Sequence, residues 1–416
     1  MLGRLLHTFA TRLGIALLNF AVVLLTARFL GAAGRGQVSL FITDVSLLLL
    51  FSGLLGGSSL IYLGARRNPW QLLLPAAAWA TVVSVLGTAA VWLWRQPGPT
   101  YTAHLLGITW LQAAFSIVTL LLLARRREPA FHWLNLGQAA VLAGGLWAGL
   151  ALLAERSIAA YWWASYPAYA LPLLLALELL LRATPAAPAA ASWRETLREL
   201  ARHSRGAHLS NILSFLNYRL GYYFVAAWAG TGAVGVLSVG TALAEAIWLI
   251  PRSAAQVQYL DLVHSADPQA GARATARTAR LALLATAAAV LLLVLLPTWA
   301  LAGIFGPEFG AARPIIGLLA PGTLAISLSI VLSSYFAGLA QYRVNNLAQL
   351  TGIALTLLAG AVLIPRYGAR GAALATTASY LASALFLVLR FRRATQLPLR
   401  ELLPRWQDLR RWRRPS

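Results

Sequence analysis

Lysine and cysteine are both absent from the 416-residue chain, and each absence excludes a kind of chemistry. Without cysteine there is no disulfide, no thiolate metal site and no cysteine nucleophile. Without lysine the chain has neither the phosphate-binding lysine of a Walker A loop nor a lysine that could form a Schiff base. ATP hydrolysis by such a loop and Schiff-base catalysis are therefore excluded.

Charged residues are scarce and apolar residues abundant. Only 11% of the residues are charged and 59% are hydrophobic, whereas a soluble domain has ~25% charged and ~45–50% apolar residues. The apolar residues form runs near the ~20 residues that a helix needs to cross a bilayer. The sequence therefore predicts an all-α polytopic membrane protein with about twelve transmembrane helices. The predicted spans are 5–28, 37–64, 71–94, 101–124, 130–153, 159–181, 208–229, 233–260, 276–299, 312–338, 345–364 and 368–391.

The charge balance is strongly basic, with 34 basic and 12 acidic residues and a formal net charge of +22. Every basic residue is arginine, and the arginines are scattered between apolar runs, so membrane topology explains them better than a nucleic-acid partner. If the spans alternate from a cytoplasmic N-terminus, 24 arginines lie on the cytoplasmic side and seven in the outer loops. The seven are Arg28, Arg35, Arg95, Arg156, Arg313, Arg366 and Arg370. This bias predicts that both termini are cytoplasmic.

The longest interruption in the apolar pattern divides the spans into two sets of six. Residues 1–181 are predicted to form an N-terminal six-helix lobe, and residues 208–391 a C-terminal one. Residues 182–207 form a cytoplasmic linker, and residues 392–416 a basic cytoplasmic tail. Because each lobe has an even number of spans, both have the same orientation, as in transporters built from parallel repeats with a binding site between the halves.

The linker contains a predicted amphipathic helix. Ser192 and Glu195 have the spacing of a capping box, and Arg194, Arg198 and Arg202 recur every four residues along one face. Such a helix suits the surface of a cytoplasmic leaflet with anionic lipid headgroups. The alternative is a solvated linker helix.

A short motif of small residues recurs in the two halves, which supports an internal repeat. After the first span of each half, two glycines and a serine follow at spacings of five and three residues. The alternative is chance, because membrane proteins are rich in glycine. The residues are Gly31, Gly36 and Ser39 in the first half and Gly230, Gly235 and Ser238 in the second, 199 residues later.

Six segments also resemble those of a known family. They are Ala27–Gly36 and Gly56–Arg66 in the first half, with Tyr218–Leu220, Val234–Ser238, Leu243–Pro251 and Gly371–Thr376 in the second. They are similar to the first two, the seventh and eighth, and the last helices of polysaccharide flippases. These flippases belong to the multidrug/oligosaccharidyl-lipid/polysaccharide (MOP) exporter superfamily, which also includes the MATE transporters.

The resemblance implies a function, a location and partners. The implied function is translocation of an undecaprenyl-pyrophosphate-linked oligosaccharide across a bacterial cytoplasmic membrane, by alternating access between two six-helix lobes. Other membrane proteins of polysaccharide assembly are the implied partners. At one position the chain departs from the family, because Gly221 stands where many relatives have an acidic residue after the Arg-Leu of the seventh helix.

Charged residues within the predicted spans are candidate site residues, because a charge at a helix centre costs ~2.5–3.5 kcal/mol on insertion scales. Arg219 lies 11 residues before Gly230, and Glu245 lies 10 residues after Gly235. At ~1.5 Å per residue, both are ~15 Å from the outer turn, so they could form an ion pair. Arg252 is seven residues past Glu245 and therefore shares its helical face.

In the first half, two further charges lie at different depths. Arg12 is ~28 Å from the outer end of its span, near the cytoplasmic mouth, where it could simply snorkel to the interface. Asp44 is only ~12 Å from the outer end of its own span, so the two are not expected to pair.

Arginine presents a fork of donors that matches phosphate oxygens. A cavity containing Arg12, Arg219 and Arg252 would therefore hold the pyrophosphate of the implied substrate, with Glu245 and Asp44 as candidates for ion pairing or coupling. The alternative for Arg219 is that it and Glu245 only neutralise each other between packed helices.

Two other functions are weighed against the flippase. An ion-coupled exporter of drugs or small cations on the same fold would favour acids in its cavity, and each half has one deep acid. A membrane-embedded polymerase or glycosyltransferase would need an extramembrane site, but the predicted outer loops are short. The six histidines show no metal-ligand spacing. We therefore expect no catalytic residue, no metal and no cofactor.

Overall fold

The computed structural model describes residues 2–183, 192–264 and 267–403, and within these ranges the chain is helical and contains no strand. The first part of the predicted linker and the predicted tail after Leu403 lie outside the described residues. The helices are α1 (Leu2–Gly56), α2 (Ser58–Gly64), α3 (Pro69–Arg95), α4 (Pro99–Ala124), α5 (Glu128–Trp147, extended by a π-helical turn at Ala148–Leu152), α6 (Ala159–Ala183), α7 (Trp193–Ile247), α8 (Leu249–His264), α9 (Pro268–Val294), α10 (Thr298–Phe305), α11 (Ala312–Gly338) and α12 (Tyr342–Thr395). Two 3₁₀ turns, Pro307–Ala311 and Leu399–Glu401, follow α10 and α12.

Three of these helices are of double length and each is interrupted by one glycine. Gly31 in α1, Gly230 in α7 and Gly368 in α12 have φ values of 68°, 80° and 56°. This left-handed region is open to glycine at little cost and ends a right-handed helix. Nine continuous helical stretches in the described chain are long and apolar enough to cross a membrane. With three of them divided at a glycine, the structure agrees with the predicted twelve spans.

The helix ends differ from the predicted spans in two places. The seventh span was predicted to begin at residue 208, but α7 begins at Trp193 and continues from the linker without a break. The ninth span was predicted at 276–299, but α9 begins after the N-cap Asp267 and ends at Val294. Hydropathy detects only the apolar part of a helix, so polar turns outside the hydrocarbon core are missed.

The chain divides into two compact units. The first consists of Met1–Leu30 and Gln37–Asn211, and the second of Gly31–Gly36 and Ile212–Ser416. The core of the first unit joins α2, α3, α4 and the start of α7, where Leu60, Leu72, Leu121 and Leu200 are fully buried. The core of the second unit joins α8, α9, α11 and α12 around Phe336 and Phe391.

The amphipathic segment at the start of α7 belongs to the first unit and packs within it. Leu200 belongs to the buried core, and Glu199 forms an ion pair with Arg67 at 2.8 Å. The rings of His203 and Tyr62 stack with their centroids 4.6 Å apart. Part of the face predicted to lie on lipid is therefore covered by protein. The three arginines named for this segment are exposed.

The repeated glycine motif forms a reciprocal backbone contact within the second unit. A Cβ atom on Gly36 would collide with the carbonyl oxygen of Thr231, and a Cβ atom on Gly235 would collide with the carbonyl oxygen of Ala32. Residues 32 and 231, like residues 36 and 235, are 199 positions apart. The two contacts are thus the same contact made twice with the partners exchanged, which supports the internal repeat.

Candidate functional site

An arginine–glutamate ion pair lies in the second unit, between the two segments of α7. Because α7 reverses at Gly230, Arg219 before the break faces Glu245 after it. The Arg219 Nη1 donates to Oε1 of Glu245 at 2.6 Å, and Nη2 donates to Oε2 at 2.8 Å. The side chains keep 29% and 21% of their exposure. The pairing that the sequence depths predicted is therefore present, in forked geometry.

Aromatic rings and a second arginine surround this pair. The guanidinium carbon of Arg219 lies 5.5 Å from the ring centroid of Tyr222, and that of Arg252 lies 5.4 Å from the ring of Trp248. Trp248 stands at the junction of α7 and α8 and is 4% exposed, whereas Arg252 is exposed. We call these five residues the C-terminal charge cluster. Cation–π contacts of this length hold a guanidinium in place without neutralising it.

A buried polar network lies beside the cluster and was not predicted. Asn217, two residues before Arg219, donates from its amide to Oε1 of Gln349 at 2.8 Å. It accepts at Oδ1 from the hydroxyl of Ser379 at 2.6 Å. Asn217 is 3% exposed. These bonds fix α7 to α12, and the signal that could have found them is a set of amides inside apolar spans.

The buried acid of the first unit has partners that the sequence analysis did not assign. Asp44 forms an ion pair with Arg95, and the hydroxyl of Tyr101 donates to the same carboxylate. The Asp44 side chain is 1% exposed and that of Arg95 21%. We call these three residues the N-terminal acid site. Arg95 was predicted to lie in an outer loop, but it is the last residue of α3 and points back to the acid.

Aromatic side chains enclose the N-terminal acid site. The Tyr101 ring lies 5.2 Å from Phe41 and 6.1 Å from Trp162, both in edge-on geometry. Trp162 in turn stacks on His104 at 4.5 Å, and Nδ1 of that histidine lies 3.0 Å from the hydroxyl of Tyr166. The acid is thus held in an apolar shell, where an ion pair is little screened by water.

Two further arginines of the sequence analysis, Arg12 and Arg35, differ in their surroundings. Arg12 lies on α1 in the first unit and is exposed, and its role as a phosphate ligand stays a prediction. Arg35 was counted with the outer loops, but it is 5% exposed and donates from Nε to the hydroxyl of Ser238 at 3.1 Å. The error has the same origin as that for Arg95, since both arginines follow apolar runs and were assigned to loops.

The helical segment that contains Arg35 has a carboxylate at its N-terminus. The backbone N–H of Ala32, the first residue after the break at Gly31, donates to Oε2 of Glu308 at 2.7 Å. A carboxylate at a helix N-terminus is favourable because the first amides lack helical partners. Among the described residues, no group of three or more His, Asp or Glu side chains is arranged to hold a metal ion.

The fold is similar to those of solved membrane transporters. An inward-facing multidrug resistance MATE family transporter of the MOP superfamily matches with a TM-score of 0.71 and 12% identity, over 92% of this chain and 94% of that one. The lipid II flippase MurJ, in an inward closed conformation, matches with a TM-score of 0.72 and 10% identity, over 97% of this chain and 89% of that one. A MOP superfamily transporter from Pyrococcus furiosus Vc1, described as having a binding pocket of reverse polarity, matches with a TM-score of 0.61 and 11% identity, over 94% of each chain.

No protein-family model matches the sequence, and no curated protein matches it. The likenesses in structure establish the fold, which is the all-helical MATE/MurJ-like fold of MOP superfamily transporters. The predicted fold class is therefore confirmed, and the chain is a multi-pass membrane protein.

Proposed function

We propose that the protein is a transporter that flips a polyprenyl-pyrophosphate-linked oligosaccharide across the bacterial cytoplasmic membrane by alternating access, with both termini in the cytoplasm. The observation that supports this substrate class is the charge balance of the C-terminal charge cluster. Two arginines, Arg219 and Arg252, stand against one glutamate, Glu245. A fold shared with a protein described as a lipid II flippase is consistent with a lipid-linked substrate.

The forked geometry of the ion pair suggests how a pyrophosphate would bind. A phosphate offers two oxygens at a spacing similar to that of a carboxylate, so it can take the place of Glu245 on the guanidinium of Arg219. Arg252, which is exposed and held against Trp248, supplies the second positive charge. Arg12 is proposed as a further phosphate contact, in the first unit. Substrate binding is thus an exchange of anions on a fixed arginine.

The second candidate function is export of drugs or small cations, and the fold shared with a multidrug resistance MATE transporter favours it. A cation would need an acid to bind. Asp44 forms an ion pair with Arg95, and Glu245 forms one with Arg219. A cationic substrate would therefore have to displace an arginine from either acid, whereas an anion finds in Arg252 a positive charge outside these ion pairs. This difference makes export of cations the weaker candidate.

The flippase proposal is tested in a strain that lacks the gene for this protein. We expect surface polysaccharide to be lost and lipid-linked repeat units to accumulate out of reach of a membrane-impermeant reagent that labels sugars on the outer face. The wild-type gene and an Arg343→Ala variant, which changes an exposed arginine at the start of α12, should both restore labelling. If the units are labelled at the normal rate without the protein, it does not flip them.

The second candidate function, export of drugs or small cations, is tested in the same strain with cationic dyes and drugs. The flippase proposal predicts unchanged susceptibility and unchanged dye efflux in whole cells. Increased susceptibility that is reversed by the wild-type gene, together with normal surface polysaccharide, would establish the second candidate instead.

A further inference from the structure

A groove in the second unit, between α8 and α9, has features of a ligand site that the transport proposal does not use. Its volume is about 470 Å³, within the ~300–1,000 Å³ range of ligand pockets. Val257 and Leu262 line it from α8, and Ala274, Thr278 and Leu281 line it from α9. The lining is mostly apolar, and small side chains on α9 leave the space open.

One buried amide in the lining has an unused acceptor. Gln258 is 4% exposed and lines the groove. Its Nε2 donates to the hydroxyl of Thr275 at 2.6 Å, and that hydroxyl donates to the carbonyl of Gly271. These bonds fix the orientation of the amide, and its Oε1 has no hydrogen-bond partner among the described residues. Since buried polar atoms are usually paired, a hydrogen bond from a ligand would supply the partner that this oxygen lacks.

Two exposed arginines stand beside the groove on α9. Arg273 and Arg277 are exposed, and each directly precedes a lining residue of α9. The nearest described acid on this helix, Asp267, is the N-cap and accepts from the backbone N–H of Gln269. The positive-inside bias places these arginines at the cytoplasmic face, where anionic headgroups lie.

We infer that this groove binds an anionic glycerophospholipid whose headgroup has a free hydroxyl, of which phosphatidylglycerol is the example. One acyl chain lies in the apolar groove, the phosphate contacts Arg273 and Arg277, and a headgroup hydroxyl donates to Oε1 of Gln258. Three observations combine here: an apolar space, an unpartnered buried acceptor and two exposed arginines on α9. The inference does not depend on which substrate the protein moves.

The groove is tested by filling it. The purified, delipidated full-length protein is titrated with phosphatidylglycerol, and bound lipid is counted by native mass spectrometry. Ala274→Trp fills the groove, whereas Ala288→Trp introduces the same ring at an exposed position of α9 outside it. We expect only the first variant to weaken binding, by about tenfold, the effect of losing the burial of two methylenes.

The headgroup is tested with matched lipids and variants. Arg273→Gln with Arg277→Gln should reduce phosphatidylglycerol binding to the level of phosphatidylcholine, whereas Arg392→Gln with Arg393→Gln, which removes two exposed charges from α12, should not. Gln258→Leu should abolish the preference for phosphatidylglycerol over phosphatidylmethanol, which has the same charge but no hydroxyl.

Equal binding by the wild type, Ala274→Trp and Ala288→Trp would show that the lipid only surrounds the protein at random, and the inference would be wrong. If Ala274→Trp fails to fold, as judged by gel filtration, Thr278→Leu gives the same comparison with a smaller side chain. Equal binding of phosphatidylcholine and phosphatidylglycerol by the wild type would likewise overturn the choice of an anionic lipid.

Discussion

At the scale of residues, the two deep acids of the spans are each matched by an arginine, but in different surroundings. Asp44 is almost completely buried, and its arginine comes from a different helix, α3. Glu245 and Arg219 both belong to α7 and keep about a quarter of their exposure. Loss of one partner from an enclosed pair destabilises the fold because it leaves a buried, uncompensated charge. A partly open pair can instead exchange one partner for a ligand.

Arg219 tests whether the open pair binds substrate. In the double variant Arg219→Ala with Glu245→Ala no unpaired charge is left, so membrane abundance should stay normal, but polysaccharide export should be lost. The single variant Arg219→Lys should export at a rate between those of the wild type and the double variant, because lysine offers a point charge rather than a fork of donors. The measurements are membrane abundance and export for each variant.

The exposed ion pair Arg182–Glu178 supplies the control, and its double alanine variant should export normally. Normal export by the Arg219→Ala/Glu245→Ala variant would show that the pair only neutralises itself. In that case Arg219 would have no place in the substrate site.

The N-terminal acid site should behave as a structural element. Arg95→Ala removes the positively charged partner of the buried Asp44 carboxylate, and we expect a loss of about 2–3 kcal/mol in the free energy of unfolding. This is less than the ~3–5 kcal/mol for a fully buried pair, because Arg95 keeps 21% of its exposure. Adding Asp44→Asn should recover most of the stability, which thermal unfolding in detergent measures. An additive loss in the double variant would mean that the two side chains do not interact.

At the scale of elements, Gly36 and Gly235 determine how closely the helical segments that follow the breaks at Gly31 and Gly230 approach each other. We expect Gly36→Ala and Gly235→Ala each to lower the folded yield severely, because the new Cβ would overlap a backbone carbonyl that cannot move aside. Gly144→Ala in α5 is the matched control, since a Cβ there has no heavy atom within 4 Å. It should be neutral or stabilise by up to ~1 kcal/mol. Normal yield of both junction variants would contradict the reciprocal contact.

These elements also show what the sequence could predict. Runs of apolar residues were enough for the helices, and an equal spacing of glycines was enough for the junctions, since both depend on local composition. The partners of Arg35 and Arg95 depend on the depth in the membrane at which a helix begins or ends. Hydropathy does not determine that depth. Both were therefore assigned to loops, although one donates to Ser238 and the other to Asp44.

At the scale of the whole molecule, the arginine bias predicts a topology that fusions can test. Green fluorescent protein fused after Arg126 or at the C-terminus should fluoresce, because both positions are predicted to be cytoplasmic. Alkaline phosphatase fused after Pro97, between α3 and α4, should be active, because that position is predicted to be outside. Activity after Arg126 with none after Pro97 would invert the topology.

The number of spans and the superfamily fold could be predicted because they follow from composition and from short motifs distributed along the chain. The polar network of Asn217, Gln349 and Ser379 could not, because it joins residues up to 162 positions apart through packing. A sequence read without homologues contains no signal for which amide meets which.

The ion pair within α7 also bears on how the chain enters the bilayer during synthesis. Arg219 and Glu245 are only 26 residues apart and lie on the two arms of one helical hairpin. Inserted one arm at a time, each charge would cost ~2.5–3.5 kcal/mol at the membrane centre. If both arms leave the translocon together, the charges can neutralise each other before any later helix is present. The turn at Gly230 therefore allows this hairpin, with its two opposite charges, to be delivered to lipid as a single, nearly neutral unit.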